Sequence, residues 1–407
     1  MPSAGDNMMG VKRNNRAAAL RILHEEGSVS RKRLAETLGL TPAAITKIVG
    51  EMLNEKLLSE GSAVLSSSAG RREILLELNP HYGAALGVLI NLRQAIVSAV
   101  WLDGTVIFSE EFTLQPKAPA EPTAGMLAGR LLTLMEEHQL SRERVIGLGI
   151  AVRGICSADG RTVCDSFGAL AEENYPLCQR FEELTGFPAV MSNNVRALFA
   201  AQMYLSRDRA EGAQFFLRCE YGIGASLSVD GQIWSGVTEQ CAEIGHIPVI
   251  PRGGKPCSCG KSGCLETIAS PAAIVEDATA ILSEEETPVL WKIWREKGGK
   301  LLNIYDVMNA AAGGDKGASA IVDRAVSALG TALKSVIYLL DPGKIVLYGH
   351  MFEDPYYLLR LLSEMREGVD TRHAAVIERS RYNLKLENKA ASLLAVRRFY
   401  ERGGIRA

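Results

Sequence analysis

Near the start of the chain, apolar residues recur at the spacing of an amphipathic helix. In the range 13–26 the apolar positions share one face, and Gly27 then ends the pattern. A second, shorter helix is predicted after Ser30, whose hydroxyl suits an N-cap, and Gly39 is placed to end it. The pattern therefore predicts two helices in quick succession.

A third helix is predicted to begin at Thr41 and Pro42, because a capping hydroxyl followed by proline is a start signal. Its apolar residues recur at helical spacing and form one face: Ile45, Ile48, Val49, Met52 and Leu53. The other face carries small, hydroxyl-bearing or basic residues that let a helix lie close against DNA: Ala43, Thr46, Lys47 and Gly50. This order of helices is typical of a helix-turn-helix unit, with the third helix as the recognition helix.

After the third helix, alternating apolar and polar residues predict a pair of strands, the second of them over 73–78. The loop between the strands, 66–72, is rich in serine and ends in Arg71 and Arg72. Such a loop suits contacts with phosphates or the minor groove, although a plain linker is the alternative for the loop alone. We therefore predict a winged helix-turn-helix DNA-binding domain over residues 1–80. Its predicted DNA-contacting residues are Thr41, Ala43, Thr46, Lys47, Arg71 and Arg72.

The pattern changes after Asn79-Pro80, which marks a domain boundary. Apolar, strand-like stretches occupy 84–112 and 145–152, and a helical pattern over 124–138 separates them. This β-β-β-α-β order, followed by further strands and helices, predicts a mixed α/β fold of two lobes over residues 81–407.

The overall composition is ordinary, but the basic residues are concentrated near the N-terminus. The chain has 407 residues, 47% of them hydrophobic and 23% charged, which is ordinary for a globular protein, and its net charge is −2. Between residues 11 and 47, however, the sequence contains eight Lys or Arg and only three acidic residues, a local excess of five positive charges. A basic block on a neutral protein is typical of a nucleic-acid reader, although a solvated helical face would give the same count. No apolar stretch is long enough to span a membrane and no secretory signal is visible, so we expect a cytoplasmic protein without a membrane partner.

The candidate metal chemistry lies in the second half of the chain. His246, Cys257, Cys259 and Cys264 follow the pattern H-x10-C-x-C-x4-C, and three thiols with one imidazole complete a tetrahedral zinc site. Two cysteines separated by one residue would be strained as a disulfide but can chelate one metal. No fifth ligand candidate is adjacent, so we predict one structural zinc per chain. The alternative is three reduced surface cysteines near an unrelated histidine.

Taken together, these motifs resemble the ROK family (repressor, open reading frame, kinase). The resemblance rests on the order of the winged helix, the α/β region, the segment 243–246 with Glu243 and His246, and the motif 257–266 with its downstream Glu266. It covers essentially the whole chain from about Arg13. The family contains sugar kinases and sugar-responsive transcriptional repressors on an actin-like ATPase fold, and the repressors carry an additional N-terminal DNA-binding domain. The resemblance thus implies a winged helix-turn-helix followed by a two-lobed actin-like ATPase fold, with a zinc loop whose ligands are the same His and three Cys.

Departures from the family's kinase pattern favour a regulator over an enzyme. The phosphate-binding turn of the kinases, Asp-x-Gly-x-Thr, is replaced here by a segment that begins at Asn91. The kinase general base is the aspartate of an Asn-Asp pair, and the matching position here is Asn194, whose neutral amide cannot accept a proton from a sugar hydroxyl. The glycine cluster on the adenosine side is reduced to Gly349. The resemblance therefore implies that kinase activity is lost, and a sugar kinase that also binds DNA is the alternative.

The sugar-binding residues of the family are better kept. The resemblance assigns this role to Asn193, Glu243, His246 and Glu266. Carboxylates and an amide suit a polyol because they exchange hydrogen bonds with neighbouring hydroxyls. We therefore predict a DNA-binding repressor of carbohydrate-utilisation genes that responds to a sugar or sugar derivative. We expect a homodimer or dimer of dimers on a near-palindromic operator, and control by a protein partner is a further alternative.

Overall fold

The computed structural model describes residues 4–65, 72–207, 211–367 and 376–406. The chain divides into two compact units, the first made of Met1–Arg209 with Lys385–Ala407 and the second of Ala210–Leu384. Within the described ranges, no helix combines the length and apolar character needed to cross a bilayer.

The N-terminal elements of the first unit follow the predicted order. Ser30 caps the second helix by accepting from the Arg33 N–H at 3.2 Å, and Thr41 caps the third by accepting from the Ala44 N–H at 3.2 Å. The elements are α1 (Ala4–Glu26), β1 (Ser28–Ser30), α2 (Arg31–Leu38), α3 (Pro42–Asn54), β2 (Leu58–Leu65) and β3 (Arg72–Leu78). The strands form an antiparallel sheet in the order β1-β3-β2, in which β1 was not predicted. The predicted loop contact Arg71 lies outside the described residues, and of Arg72 only the backbone, at the start of β3, is described.

Each unit also contains a five-stranded sheet. The first unit continues with β4 (Ala84–Ile90), β5 (Gln94–Trp101), β6 (Val106–Thr113), α4 (Ala120–Glu137), β7 (Val145–Val152), β8 (Ile155–Cys156), β9 (Val163–Asp165), α5 (Leu177–Thr185), β10 (Ala189–Asn193) and α6 (Asn194–Ser206). The second unit contains β11 (Ala213–Cys219), β12 (Ile223–Val229), β13 (Gln232–Trp234), α7 (Glu266–Ala269), α8 (Pro271–Ala280), α9 (Pro288–Glu296), α10 (Ile304–Ala312), α11 (Lys316–Leu340), β14 (Lys344–Tyr348), α12 (Pro355–Arg366) and β15 (Val376–Arg379). The last helix, α13 (Glu387–Glu401), belongs to the first unit.

The two large sheets have the same topology although no sequence repeat is evident. Their strand orders are β6-β5-β4-β7-β10 and β13-β12-β11-β14-β15. In each, three antiparallel strands are followed by two strands parallel to the first. Parallel strands require a crossover of a dozen or more residues, and the intervening helices provide it. The repeated topology agrees with the two lobes predicted from the sequence.

Helices cover both faces of the sheet in the first unit. Apolar side chains of β4 and β7, such as Val88, pack in one core with α4, including Leu127. On the opposite face α13 lies directly on the strands, because Gly149 leaves no Cβ that would collide with the Ala391 carbonyl. Because β4, β7 and β10 run parallel, their carboxyl ends lie at the same end of the sheet. Candidate site residues that follow these strands are expected at that end.

The helix α1 is anchored to the rest of the first unit by polar and aromatic contacts. The buried Arg16 donates from Nε to the Gly403 carbonyl at 2.8 Å. Near the end of α1, the His24 ring stacks on Tyr204 at 3.9 Å between centroids, and its Nε2 donates to the Tyr204 carbonyl at 2.8 Å. Burial lowers the pKa of His24 to about 4, so the ring is neutral near pH 7. The N-terminal helices thus pack against α6 and the residues that follow α13.

Candidate functional site

The four predicted metal ligands of the second unit converge on one point. The ligand atoms of His246, Cys257, Cys259 and Cys264 all lie within 4.8 Å of one another. The Cys257 Sγ is 3.5 Å from the His246 Nδ1, and the Cys259 Sγ is 3.7 Å from the Cys264 Sγ. These four residues can therefore bind a common metal ion.

Two of the separations, one S–S and one S–N, match those that a tetrahedral zinc ion would impose. With Zn–S near 2.3 Å and Zn–N near 2.05 Å, two sulfurs lie about 3.8 Å apart and a sulfur and a nitrogen about 3.6 Å apart. The measured 3.7 Å and 3.5 Å agree with both values. Four protein ligands fill a tetrahedron, which leaves no coordination position for a substrate, so the donor set fits a structural rather than a catalytic ion.

Local backbone hydrogen bonds shape the loop that carries the thiols. The Cys257 N–H donates to the Lys261 carbonyl at 2.8 Å, and the Gly260 N–H donates back to the Cys257 carbonyl at 3.0 Å. Gly260 has φ +82°, a conformation that favours glycine and closes the tight turn between Cys257 and Cys264. These hydrogen bonds and the conformation of Gly260 therefore hold the cysteines of the loop close to one another.

Burial and neighbouring donors act differently on the thiols of this loop. Burial raises the pKa of the Cys264 thiol to about 12. Burial acts in the same direction on Cys259, but donation from the Lys261 backbone and the neighbouring thiols outweighs it and lowers the pKa of Cys259. Because metals bind thiolates, an incoming ion must displace a proton from Cys264.

The residues predicted to bind sugar fall in both units. In the second unit Glu243 precedes the 3₁₀ turn that carries His246, and Glu266 begins α7. The Glu266 carboxylate accepts from the Ile223 N–H at 2.9 Å, which fixes one of its oxygens against β12. Both carboxylates are half-buried and lie within three residues of a cluster ligand along the chain.

Asn193 lies in the first unit, at the carboxyl end of β10. Its Oδ1 caps α6 by accepting from the Val195 N–H at 2.8 Å, and its Nδ2 donates to the Gly154 carbonyl at 2.7 Å. Capping therefore accounts for part of the bonding capacity of Asn193, and this structural role stands beside the predicted sugar contact.

Asn91 and Asn194, two of the positions at which the sequence is predicted to depart from the kinase pattern, lie in contact. The buried Asn194 donates from Nδ2 to the Asn91 Oδ1 at 2.7 Å. The Asn194 Oδ1 accepts from the Val195 N–H at 2.9 Å, and the Asn91 Nδ2 faces the Gln94 Oε1 at 3.5 Å. Two carboxylates at this distance could not both ionise without a large cost in free energy, whereas the two amides form a hydrogen bond with each other.

A feature that sequence reasoning missed lies at the turn after β14. The Glu220 carboxylate accepts from the His350 backbone N–H at 2.9 Å and contacts the His350 Nδ1 at 2.6 Å. Gly349 has φ +131°, and a Cβ there would collide with the Cys219 carbonyl. The contact joins residues 130 positions apart in the chain, so no local sequence signal could have revealed it.

The α3 surface has the two faces that its sequence predicts. Ile45, Ile48, Val49 and Met52 are buried. The predicted DNA-contacting residues of the helix are all exposed: Thr41, Ala43, Thr46 and Lys47. Thr46 donates from its hydroxyl to the Pro42 carbonyl at 2.7 Å, so this side chain is held along the helix rather than extended from it.

Many of the basic residues between residues 11 and 47 are neutralised by ion pairs. Five of the eight bases pair with acids, three of which lie beyond residue 47: Lys12 with Glu51, Arg16 with Glu55, Arg21 with Glu25, Arg31 with Glu60 and Arg33 with Glu26. Among the described residues, Arg13, Lys32 and Lys47 have no such ion pair. The local charge excess therefore overstates the positive charge available to a partner, and Lys47 is the unpaired base on α3.

Comparisons with known proteins agree with this geometry. A model of the ROK family matches residues 93–391. The DNA-binding transcriptional dual regulator NagC of Escherichia coli strain K12 is 27% identical over 352 residues, which cover 86% of this chain and 83% of that protein. A glucokinase of Halalkalibacterium halodurans is 31% identical over 223 residues, covering 55% of this chain and 67% of the kinase.

The solved structures include one that matches nearly the whole chain. A ROK family transcriptional regulator, described as a homologue of the E. coli Mlc protein, superposes with a TM-score of 0.82 at 23% identity and covers 97% of this chain and 98% of its own. A match of that extent includes most of the first eighty residues as well as both large sheets. The chain belongs to the ROK family, with the sugar-kinase-like α/β fold of that family.

Proposed function

We propose that this member of the ROK family is a DNA-binding transcriptional repressor of carbohydrate-utilisation genes whose operator affinity is set by a sugar or sugar derivative. The observation that carries the proposal is the capped helix α3, whose predicted DNA-contacting residues are exposed. This helix lies near the start of a chain whose fold matches a ROK transcriptional regulator over 97% of its length. Its relative NagC is itself named as a DNA-binding regulator.

We assign DNA binding to residues 1–80 as a winged helix-turn-helix and sensing to residues 81–407. In this proposal α3 enters the major groove, while the loop between β2 and β3 reaches the backbone or minor groove. The contacting residues are Thr41, Ala43, Thr46, Lys47, Arg71 and Arg72. One recognition helix covers only a half-site, so we propose a homodimer or dimer of dimers on a near-palindromic operator.

We further propose that His246, Cys257, Cys259 and Cys264 hold one structural zinc ion per chain. The S–S and S–N separations of a zinc tetrahedron support this assignment. With Nδ1 on the metal, the Nε2–H of His246 becomes the donor that we assign to the sugar. Asn193, Glu243 and Glu266 would supply further hydrogen bonds to its hydroxyls.

The proposal includes the loss of phosphoryl transfer. Where the resemblance to the kinases puts a general base and a phosphate-binding turn, Asn194 and Asn91 offer amides that bond to each other. Glu220 adds a carboxylate at the turn after β14, and a negative charge there disfavours the phosphates of a nucleotide. A DNA-binding sugar kinase is the second candidate, because a glucokinase is 31% identical over 55% of the chain. ATP consumption with a panel of sugars separates the two.

The experiment that tests the function selects binding sites from random double-stranded DNA with the purified full-length protein. We expect one enriched, near-palindromic motif, with Lys47→Ala weakening its binding and reducing the slope of log affinity against log salt by about 1. Lys292→Ala, which removes a 75%-exposed lysine from α9, is the matched control and should leave both unchanged. Failure to enrich any motif, or equal behaviour of the two variants, would contradict the proposal. Deleting residues 1–80 is a poorer test, because it would also remove the contacts of Arg16 and His24.

A further inference from the structure

A cavity lies in the first unit, at the amino ends of its parallel strands. Its volume is about 250 Å³, and it is lined by residues at the start of β7, at the end of α5 and in the last turns of α13 with the residues that follow. Asn193, the residue of this unit proposed to bind sugar, lies at the carboxyl end of β10, at the opposite end of the strands. The cavity is therefore separate from the candidate sugar site.

An irregularity in the sheet lies beside this cavity. Ala84 pairs with Val145 and Ala85 with Gly147, so that Ile146 forms a bulge between them. A bulge bends its strand and breaks the regular pairing, and bulges are frequent beside binding sites. Here the bulged Ile146 and Ile405 both line the cavity.

Three arginines and one glutamate carry the charge of the lining. Arg161 and Glu182 form a paired unit, with Nη1 to Oε1 at 3.1 Å and Nη2 to Oε2 at 2.5 Å, so they neutralise each other. Arg398 is 3.8 Å from Glu401 and its side chain is 60% exposed, which makes that pair weak. Arg402 is half-buried, and among the described residues its guanidinium has neither an ion-pair nor a hydrogen-bond partner. Two positive charges thus remain available to a ligand.

Size and chemistry define what this lining accommodates. Guanidinium groups match phosphate oxygens by forked, charge-assisted hydrogen bonds. The volume equals roughly eight water molecules at about 30 Å³ each and falls below the range of about 300–1,000 Å³ typical of sites for larger ligands. The apolar Ile146 and Ile405 leave room for a short carbon skeleton beside the charge. We propose that this cavity binds a small phosphate monoester, with its phosphate between Arg398 and Arg402.

Two residues that lie between lining residues of the cavity contact the N-terminal region of the first unit. Arg402 and Ile405 flank Gly403 and Gly404, which have φ +72° and +74°. Gly403 accepts from Arg16 of α1 at 2.8 Å, and a Cβ on Gly404 would collide with Leu57, just after α3. A ligand on Arg402 therefore holds the segment 402–405 against the helices that we assign to DNA binding. This second step rests on the proposed function, whereas binding to the cavity does not.

Calorimetry with the full-length, metal-loaded protein tests the binding step. Glycerol 3-phosphate is the probe, inorganic phosphate distinguishes a monoester from free phosphate, and glycerol is the uncharged control. We expect saturable binding of glycerol 3-phosphate, tighter than that of inorganic phosphate, and none of glycerol. Arg402→Gln should weaken binding about tenfold or more. Ile405→Glu, which places a carboxylate at a 48%-exposed position, should do the same by repulsion. Arg366→Gln, at an exposed arginine of α12, should not change it.

Several outcomes would overturn the assignment. Absence of saturable binding by the wild-type protein, or wild-type affinity in both Arg402→Gln and Ile405→Glu, would reject the cavity as the site. Equal affinity for inorganic phosphate and glycerol 3-phosphate would reject the monoester. For the coupling step, saturating glycerol 3-phosphate should change operator affinity roughly 5-fold or more in the wild type and not in Arg402→Gln. Binding without that change would reject the coupling alone, and a protein that enriches no DNA would reject the proposed function while leaving the calorimetric result intact.

Discussion

Replacing Arg16 by methionine should loosen the N-terminal helices from the rest of the first unit. Arg16 is only 3% exposed, and its guanidinium makes a two-pronged contact with Glu55, at 2.8 Å and 2.5 Å, besides donating to the Gly403 carbonyl at 2.8 Å. Methionine keeps an unbranched apolar stem in the same space and removes only the charged head. The substitution therefore isolates the polar contacts of α1.

The magnitude follows from what each partner loses. Gly403 is buried, so its carbonyl loses a charged donor at a cost of about 1–3 kcal/mol. Glu55 has a side chain that is 40% exposed, so water replaces the guanidinium there and the loss is at most about 1 kcal/mol. Together these give about 2 kcal/mol, which corresponds to a roughly 30-fold higher population of the locally open state.

Native-state hydrogen exchange provides the assay, because it reports on segments separately. Amides of α1 and of residues 402–406 should exchange roughly 30-fold faster in Arg16→Met, while those of the second unit stay unchanged. Lys12→Met is the matched control, since Lys12 also joins α1 to α3 through Glu51 but is 51% exposed. It should cost at most about 1 kcal/mol. Equal exchange rates in the two variants would refute the assignment of the anchoring energy to buried contacts.

Three further predictions concern the metal, the effector and pH. Freshly purified, reduced protein should contain about one zinc per chain, and Cys257→Ala should lower both the metal content and thermal stability, whereas Cys178→Ala, at a buried thiol outside the cluster, should leave the metal content unchanged. Glu243→Ala should abolish the response of operator affinity to the cognate sugar without changing affinity in its absence; a wild-type response would move the control to another site or to a protein partner. Burial lowers the pKa of His24 from 6.5 to about 4. As pH decreases, the imidazole is therefore protonated in the unfolded state before it is protonated in the folded state, and stability should fall between about pH 6.5 and pH 4. Unfolding midpoints measured over that range should vary less in a His24→Phe variant, and an unchanged pH profile would show that His24 is not responsible.

Local sequence signals predicted the parts of the fold that local chemistry decides. The caps at Ser30 and Thr41 were visible because a hydroxyl at the start of an amphipathic pattern bonds the free N–H groups of its own helix. The strand 145–152 was visible as a continuous apolar run, and β7 has those bounds. The convergence of the metal ligands was visible because four ligand residues lie within one short segment.

The features that the sequence could not reveal join residues that are distant along the chain. Arg16 was counted as part of a basic block. Its guanidinium instead contacts residues 55 and 403 and anchors α1. The bulge at Ile146 depends on register with β4, which no periodicity within β7 encodes. The start of α1 at Ala4 rather than near Arg13 was also missed, because the apolar pattern that marks the helix begins only after its first turns.

The proposed switch needs a physical connection between the sugar side of the first unit and its N-terminal helices, and α6 provides one. The helix begins directly after Asn193, whose side chain caps it, and contains 13 residues, so it is about 20 Å long. Near its other end, Tyr204 stacks on His24 of α1 and accepts a hydrogen bond from it. A sugar that takes hydrogen bonds from Asn193 competes with the cap, and a rigid helix transmits a displacement of its first turn to its last. Because a ligand shifts an equilibrium only by its differential affinity for two states, the contact between Tyr204 and His24 must differ between the sugar-bound and DNA-bound arrangements if α6 is the route.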